Sequence, residues 1–280
     1  MQQIPLEDNF SDVIGKAAAG IGLNATALAQ RAGLDEIRVL QVLDGKFESG
    51  IIASLAKLLN LHAPSLFVLA TGAWRPKPVN LNGLALFNTP FPVSGYEEMT
   101  VNSYLVWDWH SREAAAFDTG ANIEEMRDFI RQKNLRLRSI FLTHAHDDHT
   151  HALSDLVEVD RGITVYANEL EPVKGARLFK AGNFLSIGGL QVETCLTSGH
   201  SPGGTTYVIS GLDLPVAIVG DALFSCSQGG IPESYPEAME KIRREIFSLP
   251  EETVVCPGHG PMTTIGEEME HNPFYASIDS

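Results

Sequence analysis

The chain has 280 residues, 35 of them acidic against 20 basic, with a formal net charge of −15 at pH 7 and 44% hydrophobic side chains. That apolar content supports real cores, and the length suits two domains, one small and one of about 200 residues. Residues 81–280 carry the whole charge imbalance, 28 acidic against 13 basic, which argues against nucleic acid as a substrate there and against anionic membranes.

In chain order, Met1-Gln2-Gln3-Ile4-Pro5-Leu6-Glu7-Asp8 is acidic with no apolar run, so no signal peptide is expected. A helix is predicted over Thr26–Ala32, with Leu28 and Ala29 inward and Gly33 as its stop. Asp35 can cap the next helix, whose Ile37, Leu40 and Leu43 follow helical spacing as its inner face, with Gly45 at its end. Ile52–Leu59 and Leu66–Ala70 read as two more helices. Trp74-Arg75-Pro76-Lys77-Pro78-Val79 is the best linker, because two prolines stiffen it. The expected organisation is a first domain over 1–75, a linker over 76–80 and a second domain over 81–280.

In the second domain, Thr100–Trp107 and Glu113–Asp118 are expected to pair around the polar turn Asp108–Arg112, which holds His110. Ile123, Met126, Phe129 and Ile130 line one face of a helix. Ser139-Ile140-Phe141-Leu142 is an apolar run of strand length that ends in Thr143-His144-Ala145-His146-Asp147-Asp148-His149. His200 sits in Ser198-Gly199-His200-Ser201-Pro202-Gly203. Val216–Val219 is a second buried strand, ending at Gly220-Asp221, and Thr253–Cys256 a third, ending at Pro257-Gly258-His259. Tyr235–Phe247 is amphipathic, with Met239, Ile242 and Ile246 inward.

Five imidazoles and two carboxylates thus stand where strands end: His144, His146, Asp148, His149, His200, Asp221 and His259. Four ligands make one closed structural zinc site, whereas seven suit two metal sites sharing one ligand. His144 and His146, two apart, point the same way on extended backbone. Gly199, Gly220 and Gly258 permit the tight turns that aim the next residue inward.

On these motifs, together with Phe117-Asp118-Thr119-Gly120, the chain from about Asn80 to Ser280 resembles the metallo-β-lactamase superfamily. The ending Pro257-Gly258-His259-Gly260-Pro261, with His271-Asn272-Pro273-Phe274 after it, is similar to that of the small glyoxalase II-like hydrolases. The resemblance implies an α/β (α+β) fold, an αββα sandwich of two sheets covered by helices. It implies two divalent metal ions, zinc before iron or manganese. His144, His146 and His200 would hold one, Asp148, His149 and His259 the other, and Asp221 would bridge them. Metal lowers the pKa of a shared water to near ~7, which makes it the nucleophile toward an acyl carbon. Asp148 would orient that nucleophile, and Asp118 would position ligands through hydrogen bonds. His151, Gly229 and Gly230 are the expected substrate-lining residues. Two departures from the family are expected: Ile231 stands where an arginine is usual, and the C-terminal helical domain with a basic clamp is expected to be missing. Two competing readings are a persulfide dioxygenase with one iron and a regulator that senses metal or an effector.

Residues 1–75 resemble the lambda-repressor-like helix-turn-helix fold, through Ala29-Gln30-Arg31-Ala32-Gly33-Leu34 and Leu43-Asp44-Gly45-Lys46. That resemblance makes Asp35–Leu43 the recognition helix, with Arg38 and Gln41 as candidate base readers. Asp35 and Glu36 at its start carry the wrong sign for phosphate, and residues 1–80 hold seven acidic and seven basic side chains. Packing, partner docking or a homodimer contact is therefore expected ahead of DNA binding. Cys195, Cys226 and Cys256, odd in number and far apart, suit reduced thiols in a cytoplasm. No apolar run approaches the ~20 residues that a membrane span needs.

Overall fold

A computed structural model describes residues 3–95, 97–232 and 234–276; Met1 and Gln2, where the acidic N-terminus begins, lie outside it. Five helices come first: α1 (Phe10–Gly20), α2 (Ala25–Ala32), α3 (Glu36–Leu43), α4 (Ser49–Leu59) and α5 (Ala63–Thr71). Then follow β1 (Leu84–Pro90), β2 (Thr100–Trp107), β3 (Glu113–Phe117), α6 (Glu124–Gln132), β4 (Arg136–Phe141), the short α7 (Asp147–Thr150) and α8 (Leu153–Leu156), β5 (Thr164–Asn168) and β6 (Arg177–Phe179). The last set is β7 (Phe184–Ile187), β8 (Leu190–Leu196), β9 (Thr205–Ser210), β10 (Val216–Gly220), α9 (Tyr235–Glu245), β11 (Val254–Pro257), β12 (Thr263–Thr264) and α10 (Ile265–His271).

The strands form two six-stranded sheets, ordered β1 to β6 and β12 to β7. Alternation along each strand sends successive side chains to opposite faces. Val216 and Ile218 of β10, with Phe117, Phe141 and Tyr207, fill the layer between the sheets. Ala114, Ala116 and Ile140 pack outward under Met126 and Ile130 of α6. Ala217, Val219 and Val255 pack outward on the other side, under Ile242 of α9 and Ile265 of α10. The result is the expected αββα layering.

The N-terminal helices extend the same outer layer. Phe10, Val13, Ile14, Ala17 and Ala18 recur at helical spacing, so α1 buries one face, and Asn9 with Asp12 closes a capping box at its start. This helix is absent from the sequence-based expectation. Leu28, Leu55 and Leu66 are fully buried in one apolar cluster with Ile242, Ile265 and Phe274. The stretch expected to be a linker is tied down: Trp74 stacks on His271 with ring centroids 4.1 Å apart, and Lys77 N donates to Glu267 at 3.0 Å.

One expectation is corrected. The inner face of α3 is Val39 and Val42, while Ile37 is 66% and Leu40 48% exposed. Two apolar sets at helical spacing compete in Ile37-Arg38-Val39-Leu40-Gln41-Val42-Leu43, and packing against α1 and α2 selects the β-branched pair. Among the described residues no helix is long and apolar enough to cross a membrane.

Because α5 and α10 share one core, Leu66→Ala should cost about 2–5 kcal/mol. Thermal melts followed at the helix signal and at the aromatic signal should still coincide. An N-terminal helical transition that separates from the rest would contradict a shared core.

Candidate metal centre

Backbone pairing brings the seven side chains to one end of the sandwich. β10 and β11 run parallel with Ile218 opposite Cys256, so Asp221 and His259 leave the same edge of one sheet. β3 and β4 run parallel with Phe117 opposite Phe141, so Asp118 leaves the other sheet beside Thr143. Thr205 N donates to Thr143 O at 2.9 Å and links the two sheets at this end. α7 opens immediately after His146, so its first turn carries Asp148 and His149.

Three groups of donor atoms form, each within 4.8 Å: His144, His146 and His200; His144, His149 and Asp221; and Asp148, His149 and His259. In the first, His146 Nδ1 lies 3.0 Å from both His144 Nε2 and His200 Nε2. In the last, Asp148 Oδ2 lies 3.2 Å from His259 Nε2 and 3.6 Å from His149 Nε2. Asp221 stands between them, with Oδ1 3.3 Å from His149 Nε2 and Oδ2 3.3 Å from His200 Nε2.

The outward nitrogens decide what this cluster can hold. His200 Nδ1 donates to the carbonyl of Gly230 at 3.0 Å, and His259 Nδ1 to the carbonyl of Thr100 at 2.7 Å. His149 Nδ1 donates to Asp118 Oδ2 at 2.8 Å. The Thr143 hydroxyl gives its one hydrogen to Asp118 at 2.7 Å, so it accepts from His144 Nδ1 at 3.0 Å. In each neutral ring the proton sits on the outward nitrogen and the inward Nε2 presents a lone pair. These lone pairs face one another and two carboxylates, and buried His149 Nε2 and Asp221 Oδ1 have no hydrogen-bond partner. Cations satisfy such a set, and nitrogen with oxygen donors suits divalent zinc, iron or manganese.

The charges respond to one another in the same pattern. Burial lowers the pKa of His144 well below the ordinary value. Burial acts the same way on His259, yet Asp221 and Asp148 outweigh it and raise that imidazole to about 9. Burial would raise Asp148, but its bond to His259 and the charge of His149 bring it down to about 2. Asp221 is likewise held well below the carboxylate range by His259 and His149, against burial.

Space is as restrictive as charge. A Cβ on Gly258 would lie 2.1 Å from Asp221 Oδ1, and one on Gly229 would lie 2.2 Å from the Asp221 carbonyl. Gly229 and Gly230, expected to line substrate, also hold the centre through their backbone. Gly229 is buried with its N–H on the Asp221 carbonyl at 3.0 Å, and Gly230 supplies the acceptor for His200. His151 is exposed and edge-on to Phe91, with ring centroids 5.4 Å apart. Asp118 is buried and reaches His149 and Thr143, so it positions the centre from behind. Arg38 pairs with Glu48, and Gln41 accepts from Lys46 at 2.8 Å, both far in sequence from the cluster.

Several positioning groups went unread in the sequence. Glu171 accepts from Ala145 N at 2.9 Å and from Gly203 N at 3.0 Å, clamping the two loops that carry His144, His146 and His200. Buried Asn102 donates to the carbonyls of Pro257 and Gly260 at 2.9 and 2.8 Å, fixing the His259 loop. Glu268 accepts from Cys226 N at 2.9 Å, and Asn272 donates to Ser227 O at 2.9 Å, holding the loop after Asp221. A single acidic or amide residue, whether in a loop, a strand or a helix, carries no local signal of such a role.

The sequence matches the family model described as the metallo-beta-lactamase superfamily over residues 96–259. It is 33% identical over 184 residues to the probable metallo-hydrolase YqgX of Bacillus subtilis, covering 56% of this chain and 85% of that one. It is 28% identical over 214 residues to the hydroxyacylglutathione hydrolase GloC of Haemophilus influenzae, covering 66% and 96%. Among solved structures, BLEG-1 B3 metallo-beta-lactamase superposes with a TM-score of 0.56 at 29% identity, over 69% of this chain and all of that one. TTHA1623 in a di-iron-bound form gives 0.50 at 28% identity, over 66% and 98%.

Asp118 has φ of +56°, a backbone that asparagine tolerates, so Asp118→Asn keeps the backbone and removes the charge together with one of the two acceptor oxygens. Its metal affinity, measured by chelator competition, should fall roughly 10–100-fold. The second expectation concerns Glu268, which burial pushes up to about 7 from 4.5 despite the bonds it accepts. A raised carboxyl stabilises the fold below its unfolded pKa and loses that contribution as pH rises through the folded one. Denaturant midpoints should therefore fall between pH 5 and pH 8, and Glu268→Gln should flatten that fall.

Proposed function

The chain belongs to the metallo-beta-lactamase superfamily, and from that premise we propose a dinuclear, glyoxalase II-like hydrolase that cleaves a small-molecule thioester or related ester. The observation that carries the reading is the pair of donor sets on either side of Asp221. A mononuclear iron centre on the first set would leave buried His149 Nε2 without a partner, which disfavours the dioxygenase alternative. GloC, similar over 96% of its length, bears the name of a hydroxyacylglutathione hydrolase.

His144, His146 and His200 would hold one ion, Asp148, His149 and His259 the other, and Asp221 would touch both. When bound, such ions supply Lewis acidity and a water that ionises near neutral pH. Asp148, held ionised, can only accept a hydrogen bond, so it orients the attacking water by the proton that water carries. Asp118 and Thr143 hold His149 and His144 in the tautomers that leave Nε2 free. A leaving thiolate, with pKa near ~8.5, departs without a proton donor, whereas an alkoxide needs one, and this favours thioesters over esters.

The N-terminal helices fit a packing or docking role better than DNA binding, since Arg38 and Gln41 are engaged by Glu48 and Lys46. Three free cysteines, none of them paired, suit a reducing cytoplasm.

Zinc-loaded protein should hydrolyse lactoylglutathione with kcat/KM of ~10⁴ M⁻¹s⁻¹ or above. Asp148→Asn should lower kcat by about 100-fold or more. A wild-type rate no better than that variant's would refute thioester hydrolysis of this kind.

A further inference from the structure

The N-terminal segment reaches the metal centre. Residues 3–9 cross the loop that follows His259: a Cβ on Gly260 would lie 3.2 Å from Glu7 N and 3.6 Å from both Glu7 Cβ and Pro5 O. The segment is fastened from α1 and from the loop after Asp221. Asp8 accepts from Ser227 Oγ at 2.5 Å and pairs with Lys16. Lys16 Nζ also donates to Gln228 O at 2.9 Å and lies 5.0 Å from the ring of Phe224, which stands edge-on to His259. Asp8 neutralises Lys16, so this clasp adds no net charge.

Glu7 is the unbalanced charge. It is exposed, has no ion pair within 4 Å among the described residues, and sits against Gly260, the residue after His259. The surrounding residues 81–280, with 28 acidic against 13 basic side chains, carry the same sign. A carboxylate carried beside a metal centre repels an anionic group of a substrate and attracts a cationic one, by an amount that solvent and salt screen.

We propose that Glu7 is a specificity-determining residue, held beside the centre by the Lys16–Asp8 clasp, which selects acyl substrates with an uncharged or cationic group on the His259 side and disfavours anionic ones. The substrate class rests on the hydrolase reading above; the charge selection does not.

The test compares wild type with Glu7→Gln. Three acetyl thioesters serve as substrates: those of 2-mercaptoethanol (neutral), thiocholine (cationic, with no amine to take the acyl group) and mercaptoacetate (anionic). The variant should raise the anionic-to-neutral ratio of kcat/KM about five-fold and lower the cationic-to-neutral ratio, by an amount that shrinks at high salt. Unchanged ratios would overturn the proposal. Cobalt-loaded protein, titrated by its visible absorption, separates this failure from failure of the hydrolase reading. If none of the three thioesters is cleaved, Glu7→Gln should still bind thiocyanate about five-fold more tightly while imidazole affinity is unchanged. Equal shifts for both ligands, or none, would again overturn it.

Discussion

The constraint on which the centre depends is the position of four protons. His144, His149, His200 and His259 each carry one on the outward nitrogen because an acceptor waits there: Thr143, Asp118, Gly230 and Thr100 in turn. Were any of those acceptors lost, the ring could turn or change tautomer and offer an N–H where a lone pair is needed. Asp118 matters most, because one carboxylate fixes two of the rings. It holds His149 directly and His144 through the Thr143 hydroxyl.

The rest of the local structure follows from concentrating lone pairs in a small space. Inward carboxylates and imidazoles repel or go unsatisfied without cations, so the scaffold has to hold them by other means. It does so with backbone. Parallel β10 and β11 fix the separation of Asp221 and His259, and glycines at 229 and 258 remove the side chains that would push them apart. Longer reaches come from Glu171, Asn102 and Asn272, each tying down a loop that strand pairing does not hold.

Much of this was legible in the sequence, for reasons that differ by element. The seven donors stood at strand ends because apolar runs such as Val216–Val219 stop at Gly220-Asp221, and a run of strand length followed by glycine and a ligand has few other meanings. The tight spacing of His144 to His149 fixed its own geometry. The face of α3 was misread because valine and leucine alternate there so densely that two stripes satisfy helical spacing, and only contact with α1 and α2 chooses between them. That Gly229 bonds the Asp221 carbonyl and Gly230 accepts from His200 has no local signal, because flexibility and close packing look alike in a sequence. Glu171 and Asn102 act across 26 and 155 residues or more, a distance at which no local pattern speaks.

That same spacing has a consequence for how the protein is made. The centre draws on residues from 118 to 259, across both sheets and the parallel pairs β3–β4 and β10–β11, and parallel strands close late because their crossover loops must be ordered first. No short segment holds a complete donor set, since the group nearest in sequence, His144 and His146, still waits for His200. An ion therefore has nothing finished to bind while the chain is emerging, and cannot serve as a seed for folding. The order of assembly runs the other way: the donor cluster is complete only after both sheets have closed.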